Sequence, residues 1–304
     1  MSAFAVEQAT ALAATDKSID INVLRSWWNK TMNSQPGLSV DTTRYSMDDI
    51  AGLNSFKEFA AKVMNGMDKP GVVVRIDEIE KALSGASGPI GDTSGVSQDI
   101  LGQLLSFMED EEADGLIAVG MPGSGKSMCS IAMGSAGGVP TVSLDIGGLK
   151  GSLVGQSEQQ TRAALRTIKA LAKRVFFMAT CNSMSQLPPE LRRRFTYGIW
   201  YFDPPDEEEL EKLWELYTKK YEVPDERPDD YSMWTGAEVR NACRAARNLV
   251  MTPKQIGERY IVPVCVQAAN TLRDLREQAD GKYLSASYPG VFRMKKNDNR
   301  RMKL

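Results

Sequence analysis

The chain of 304 residues contains no histidine. That absence excludes Ser-His-Asp and Cys-His nucleophilic chemistry and H-E-x-x-H metal sites, and leaves carboxylates as the available general bases. Cysteine is sparse: Cys129, Cys181, Cys243 and Cys265 lie far apart, without C-x-x-C spacing, in apolar contexts. They read as buried, reduced thiols rather than disulfides or a zinc site, which fits a cytoplasmic protein. No apolar run approaches the roughly 20 residues that span a bilayer, and the first residues lack the basic start and apolar core of a signal peptide, so no membrane partner is expected. Net charge is almost absent, at −2, and offers no global attraction to nucleic acid. Only the stretch from Arg293 to Lys303, with six basic residues against one acidic, could meet a polyanion locally. With 42% hydrophobic residues, the chain can build one large and one small domain, each with a core.

What is present centres on Gly120-Met121-Pro122-Gly123-Ser124-Gly125-Lys126-Ser127, preceded by the apolar run Leu116-Ile117-Ala118-Val119 and followed by an apolar helical pattern to Met133. Strand, glycine loop and helix in that order make a nucleoside triphosphate site. Backbone N–H groups of Pro122 to Met128, where present, turn inward around phosphate; the helix N-terminus adds positive potential; Lys126 reaches the β- and γ-phosphates; and Ser127 can ligand Mg²⁺.

Before it, residues 1–45 form a helical N-terminal extension, with Ile21, Leu24 and Trp28 at helical spacing and Val23 and Trp27 beside them. Ser46 opens a polar segment into a helix carrying Leu53, Phe56, Phe59 and Val63. Gly71 to Glu78 is a β-branched buried-strand pattern ending in two carboxylates. At the carboxyl tip of a parallel strand, Asp77 could hold Mg²⁺ through water and Glu78 could orient an attacking water; acidic residues in a solvated loop are the plain alternative. The strand Arg174–Thr180 delivers Asn182 to the same edge. Gly147 to Gly155, with four glycines, reads as a flexible loop between a strand and a helix. Arg192-Arg193-Arg194 is either a hydrated basic turn or an arginine finger. From residue 206 the pattern turns helical, with capping-box spacing at Asp206/Glu209 and Thr235/Glu238 and a cap followed by proline at Thr252-Pro253.

Taken together these motifs resemble the AAA+ ATPases, and within them the AAA branch that remodels proteins. Met47 to Leu53 is similar to the family's opening segment, Val73 to Glu78 to Walker B, Leu153 to Glu158 to the segment after pore loop 1, and Ala179 to Asn182 to sensor 1. Leu187 to Phe195 resembles the finger segment, and Thr235 to Glu238 the start of the last lid helix. The resemblance spans roughly residues 46 to 250, with one departure in order: the Walker B strand precedes the P-loop. The finger segment is also shorter than the family's, so Arg193 and Arg194 take the finger positions with Arg192 the remaining candidate.

The resemblance implies an α/β fold: a P-loop NTPase parallel sheet of permuted strand order over 46–205, an all-helical lid over 206–280 and a basic tail over 281–304. It implies ATP and Mg²⁺ as cofactors, hydrolysis at the interfaces of a homo-oligomeric, hexameric ring, and remodelling of a protein substrate or adaptor. Asp49, Ile50, Gly52, Gly236, Ala237 and Arg240 would join the P-loop in holding the nucleotide. Glu78, Asn182, Arg193 and Arg194 would be catalytic, and Leu153 and Val154 would grip substrate in the pore. The rival expectation is a nucleotide-controlled loader acting on a nucleic-acid machine, touched by the basic tail.

Overall fold

The computed structural model describes residues 10, 11, 13, 14, 20–83, 95–150 and 156–294. The expected pore-loop residues Leu153 and Val154, and the basic stretch beyond Met294, lie outside them.

Seven strands form one sheet: β1 (Leu38–Val40), β2 (Val72–Ile76), β3 (Asp114–Gly120), β4 (Thr141–Leu144), β5 (Val175–Cys181), β6 (Ile199–Phe202) and β7 (Leu284–Ser285), in the spatial order β1-β4-β2-β5-β3-β6-β7. All pairings are parallel except β1 with β4, so an antiparallel edge completes what the sequence announces as a parallel sheet. Successive strand residues alternate between two cores, as a period of two requires. Val72, Val74, Ile117, Val119 and Phe177 face one side, and Val73, Leu116, Ala118, Phe176 and Met178 the other. Both sides are covered by helix, which is why β2, β3 and β5 read as unbroken apolar runs.

The helices are α1 (Ile21–Asn33), α2 (Asn54–Asn65), α3 (Ile79–Ala82), α4 (Val96–Asp110), α5 (Lys126–Gly137), α6 (Ile146–Lys150), α7 (Gln156–Leu171), α8 (Pro189–Arg194), α9 (Glu207–Tyr221), α10 (Gly236–Leu249), α11 (Pro253–Tyr260), α12 (Val264–Gln267) and α13 (Ala269–Ala279). Phe56 and Met64 of α2 and Cys129 and Met133 of α5 fill one core; Ile100 and Leu104 of α4 and Leu165 and Ile168 of α7 fill the other. Helices α9 to α11 close around a third cluster containing Leu210, Trp214, Tyr217, Trp234 and Val239. Each begins with a capping box, at Asp206/Glu209, Thr235/Glu238 and Thr252/Gln255. The chain then returns: Cys265, Leu272 and Leu275 of α12 and α13, with Phe292, pack into the first core.

Three features differ from the sequence expectation. Strands β1 and β7 are too short to leave a periodic signature; β7 exists because Ala286 N–H donates to the Tyr201 carbonyl at 3.0 Å and Phe292 packs edge-on against Tyr201. Residues 147–150 are not loop but part of α6. The Asp145 carboxylate accepts the Gly148 N–H at 2.8 Å, and buried Leu149 anchors the turn, which together outweigh the low helix propensity of two glycines.

Candidate nucleotide site

At the carboxyl edge of the sheet, between the strands and α9–α10, lies a cavity of about 470 Å³. This is where open α/β sheets take ligands. Its floor is the loop after β3. Gly123 (φ 85°) and Gly125 (φ 91°) adopt left-handed backbone that a side chain would strain, and a Cβ on Gly123 would come within 2.7 Å of Thr235 Oγ1. Lys126 opens α5 but is buried, its ammonium donating to the carbonyls of Gly120 and Met121 at 2.8 Å each. Burial brings its pKa down to about 8.

The Ser127 hydroxyl, one residue on, donates to Asp77 Oδ1 at 2.8 Å. Asp77 sits just past the end of β2, and the Thr180 hydroxyl donates to the same oxygen at 3.2 Å. β2 pairs directly with β5, with Ile76 opposite Ala179, so the two strand ends deliver Asp77, Glu78 and Asn182 side by side. Glu78 has a left-handed backbone (φ 48°), the strained sort of turn that concentrates at functional sites, and its N–H donates to Thr180 Oγ1 at 3.0 Å. The Asn182 amide donates to Glu78 Oε1 at 3.0 Å and Lys81 holds Oε2 at 2.9 Å. Behind them, buried Glu80 accepts the Asn182 backbone N–H at 2.9 Å, tying the β5 exit to α3. The result is a carboxylate held at both oxygens, by Asn182 and Lys81, that lines the same cavity as the P-loop.

The other wall comes from the segment at 49–53 and from the helices. Asp49, Ile50, Pro122, Gly123, Ser124, Gly125, Lys126, Ser127, Met128, Gly236, Ala237 and Arg240 all line the cavity, as do Asp77, Glu78 and Asn182. Asp49 also folds its own turn, accepting the Ser46 N–H at 2.8 Å, and that bond holds its pKa below the usual carboxylate range. Gly52 does not line the cavity. Its left-handed backbone (φ 68°) abuts the Glu209 side chain, and the next N–H, of Leu53, donates to Glu209 Oε1 at 3.0 Å. Glu209, together with Thr180, Leu213 and Tyr217, also lines the cavity and was not anticipated. Its capping-box role hid it: the carboxylate that closes the start of α9 also reaches the 50–53 segment, and burial raises its pKa.

The three arginines of α8 stand outside the cavity. Arg192 turns inward, donating to the carbonyls of Met184 (2.5 Å) and Leu187 (2.8 Å). Arg194 pairs with Glu109 at 2.6 Å, and Arg193 is exposed.

The donor set fits a nucleotide–Mg²⁺ complex. Among the described residues no three His, Cys, Asp or Glu side chains converge on one point. A hydroxyl and a carboxylate 2.8 Å apart beside a phosphate-type loop are instead the sparse, hard-oxygen arrangement of Mg²⁺ sites that draw their other ligands from phosphate and water.

Comparison with known proteins agrees with this geometry. The model of the ATPase family associated with various cellular activities (AAA) matches residues 116–179, from β3 into β5. The chain is 23% identical over 235 residues to the uncharacterized AAA domain-containing protein ycf46 of Guillardia theta, covering 57% of this chain and 46% of that protein. It is 22% identical over 262 residues to the Pyropia yezoensis protein of the same name, covering 67% of this chain and 51% of that one. The chain thus spans about half the length of these curated relatives. Among solved structures, the crystal structure of the FIGL-1 AAA domain aligns over 94% of each chain with a TM-score of 0.40 at 14% identity, a likeness that carries no functional weight. No described helix is long and apolar enough to cross a membrane. The P-loop, the sheet that carries it and the family match together identify an AAA ATPase-type domain in this chain.

Proposed function

We propose that the protein is an ATP-hydrolysing AAA+ motor that works as a homo-oligomeric ring, most simply a hexamer, and remodels or disassembles a protein substrate. The observation that carries this reading is the convergence of Ser127 with Asp77 and of Asn182 with Glu78 on one side of the P-loop cavity. In this reading Lys126 and the loop N–H groups bind the phosphates, and Ser127 and Asp77 hold Mg²⁺, which when bound neutralises phosphate charge. Glu78 polarises the attacking water, and Asn182 fixes Glu78. The apolar wall at Ile50, Leu213 and Tyr217 takes the base, and helices α9–α11 act as the lid.

The order of motifs is then permuted relative to the family. Asp77 and Glu78 precede the P-loop, outside the matched stretch 116–179, yet their strand is separated from β3 only by β5. An exposed Arg193 and an Arg194 paired with surface Glu109 fit fingers that act on a neighbouring subunit's nucleotide. Leu153 and Val154 would line the pore.

Three measurements test the reading. Purified protein turns over ATP, and Lys126→Ala abolishes nucleotide binding. Electron microscopy of Glu78→Gln with ATP shows closed rings, and particles that remain monomeric contradict the oligomeric site. An unfolded protein substrate accelerates turnover, and Leu153→Ala removes that acceleration; acceleration by DNA or RNA alone would favour the loader reading instead.

A further inference from the structure

Arg75 is the one residue of β2 that is not fully buried in apolar surroundings, and it shares a face with Asp77, two positions on. Its guanidinium bridges two carboxylates. Nε and Nη2 donate to Asp41 Oδ2 and Oδ1 at 3.1 and 2.9 Å, and Nη1 pairs with Asp77 Oδ2. Asp77 Oδ1 is meanwhile taken by Ser127 and Thr180. The bridge is sheltered, with Arg75 14% and Asp41 17% exposed, so salt screens it weakly. Asp41 follows β1 directly, and its N–H donates to the Thr141 carbonyl on β4 at 3.0 Å, so β1 carries it there.

We propose that Arg75 is a built-in competitor for the divalent cation at Asp77, and that Asp41 is the acceptor that draws the guanidinium off when the cation binds. The proposal rests on the nucleotide–metal reading of the cavity. A fixed positive charge on one oxygen of a metal-facing carboxylate opposes a cation at the other by direct Coulomb repulsion, and a second carboxylate bound to that arginine relieves the opposition. Because binding couplings are reciprocal, a cation that shifts Arg75 toward Asp41 also tightens the docking of β1 on β4. The N-terminal segment is thereby made to register whether the site holds metal.

The test is Mn²⁺ titrated into ADP-saturated protein, with free Mn²⁺ read by electron paramagnetic resonance. Arg75→Met should bind Mn²⁺ about tenfold more tightly, and Asp41→Asn, which leaves Arg75 wholly to Asp77, should bind it several-fold more weakly. Arg75→Lys keeps the charge and should stay near wild type. A purely structural role would move both charge-removing variants in the same direction. Hydrogen exchange at residues 38–41 should slow with ADP and Mg²⁺ over ADP alone in the wild type, and show no such difference in Arg75→Met. If Arg75→Met does not fold, Asp41→Asn and the exchange data decide. Mn²⁺ affinity within twofold of wild type in folded Asp41→Asn overturns the proposal. Wild-type protein that binds ADP but no Mn²⁺ overturns the metal site itself, and wild-type protein that binds no ADP overturns the nucleotide reading.

Discussion

The Ser127 hydroxyl donates to Asp77 Oδ1 across 2.8 Å, although Asp77 lies 50 residues earlier in the chain and just past the end of a strand that β5 separates from the P-loop strand. The sheet makes this possible because its parallel crossovers do not care which strand is threaded first; only the final neighbours matter. Asn182 reaches Glu78 because β2 and β5 are adjacent and end at one level, and Ser127 meets Asp77 because α5 packs against β2.

Finger action is the first consequence. None of the α8 arginines reaches the cavity of its own chain. Arg193→Ala/Arg194→Ala subunits should therefore keep their own P-loop, and mixing them with Lys126→Ala subunits should restore turnover where an intact pocket faces an intact finger. The check is ATP hydrolysis against mixing ratio in confirmed mixed rings; no recovery at any ratio would assign the arginines a role within their own chain.

Lys126 makes the site pH-sensitive. Its pKa is brought down to about 8 by burial, against 10.5 for an ordinary lysine. The unfolded chain therefore holds more protons between pH 8 and 10.5, so the cost of burying the charged lysine is fully present below pH 8 and is relieved as pH rises through that window. The melting temperature of wild type minus that of Lys126→Met should thus become more favourable to wild type from pH 7.5 to 9.5 without nucleotide. Affinity for nucleotide should fall over the same range, because the neutral amine no longer pairs with phosphate.

Gly123 tests the cradle. Alanine there meets a left-handed backbone and a 2.7 Å contact with Thr235 Oγ1. We expect Gly123→Ala to lose about 1–2 kcal/mol of stability by chemical denaturation and to bind nucleotide more weakly. Unchanged stability and affinity would mean that the loop relaxes without cost.

Much of this site was legible in the residues. Valine runs buried on both faces betray β2, and Gly-x-Gly before Lys-Ser betrays the phosphate loop, because both patterns answer to local requirements. What was not legible depends on tertiary approach. Glu209 reads as a helix cap, and only the folded chain brings Leu53, 156 positions away, onto its carboxylate. Three consecutive arginines cannot reveal which faces inward, since each helical step turns the side chain by about 100°; the fold sends Arg192 to the carbonyls of Met184 and Leu187 and leaves Arg193 outside. The bridge from Arg75 on β2 to Asp41 just after β1 likewise joins residues 34 positions apart across β4, and nothing local announces it.

In the proposed mechanism a carboxylate lying before the P-loop in sequence serves the nucleotide held by it. Glu78→Gln keeps the shape that Asn182 holds but loses the charge that polarises water. The measurement is paired: affinity for a fluorescent ATP analogue, and release of phosphate from ATP at saturation. The expected result is affinity within about threefold of wild type and turnover lowered by roughly 10²–10⁴-fold. Turnover at the wild-type rate, with binding intact, would contradict it.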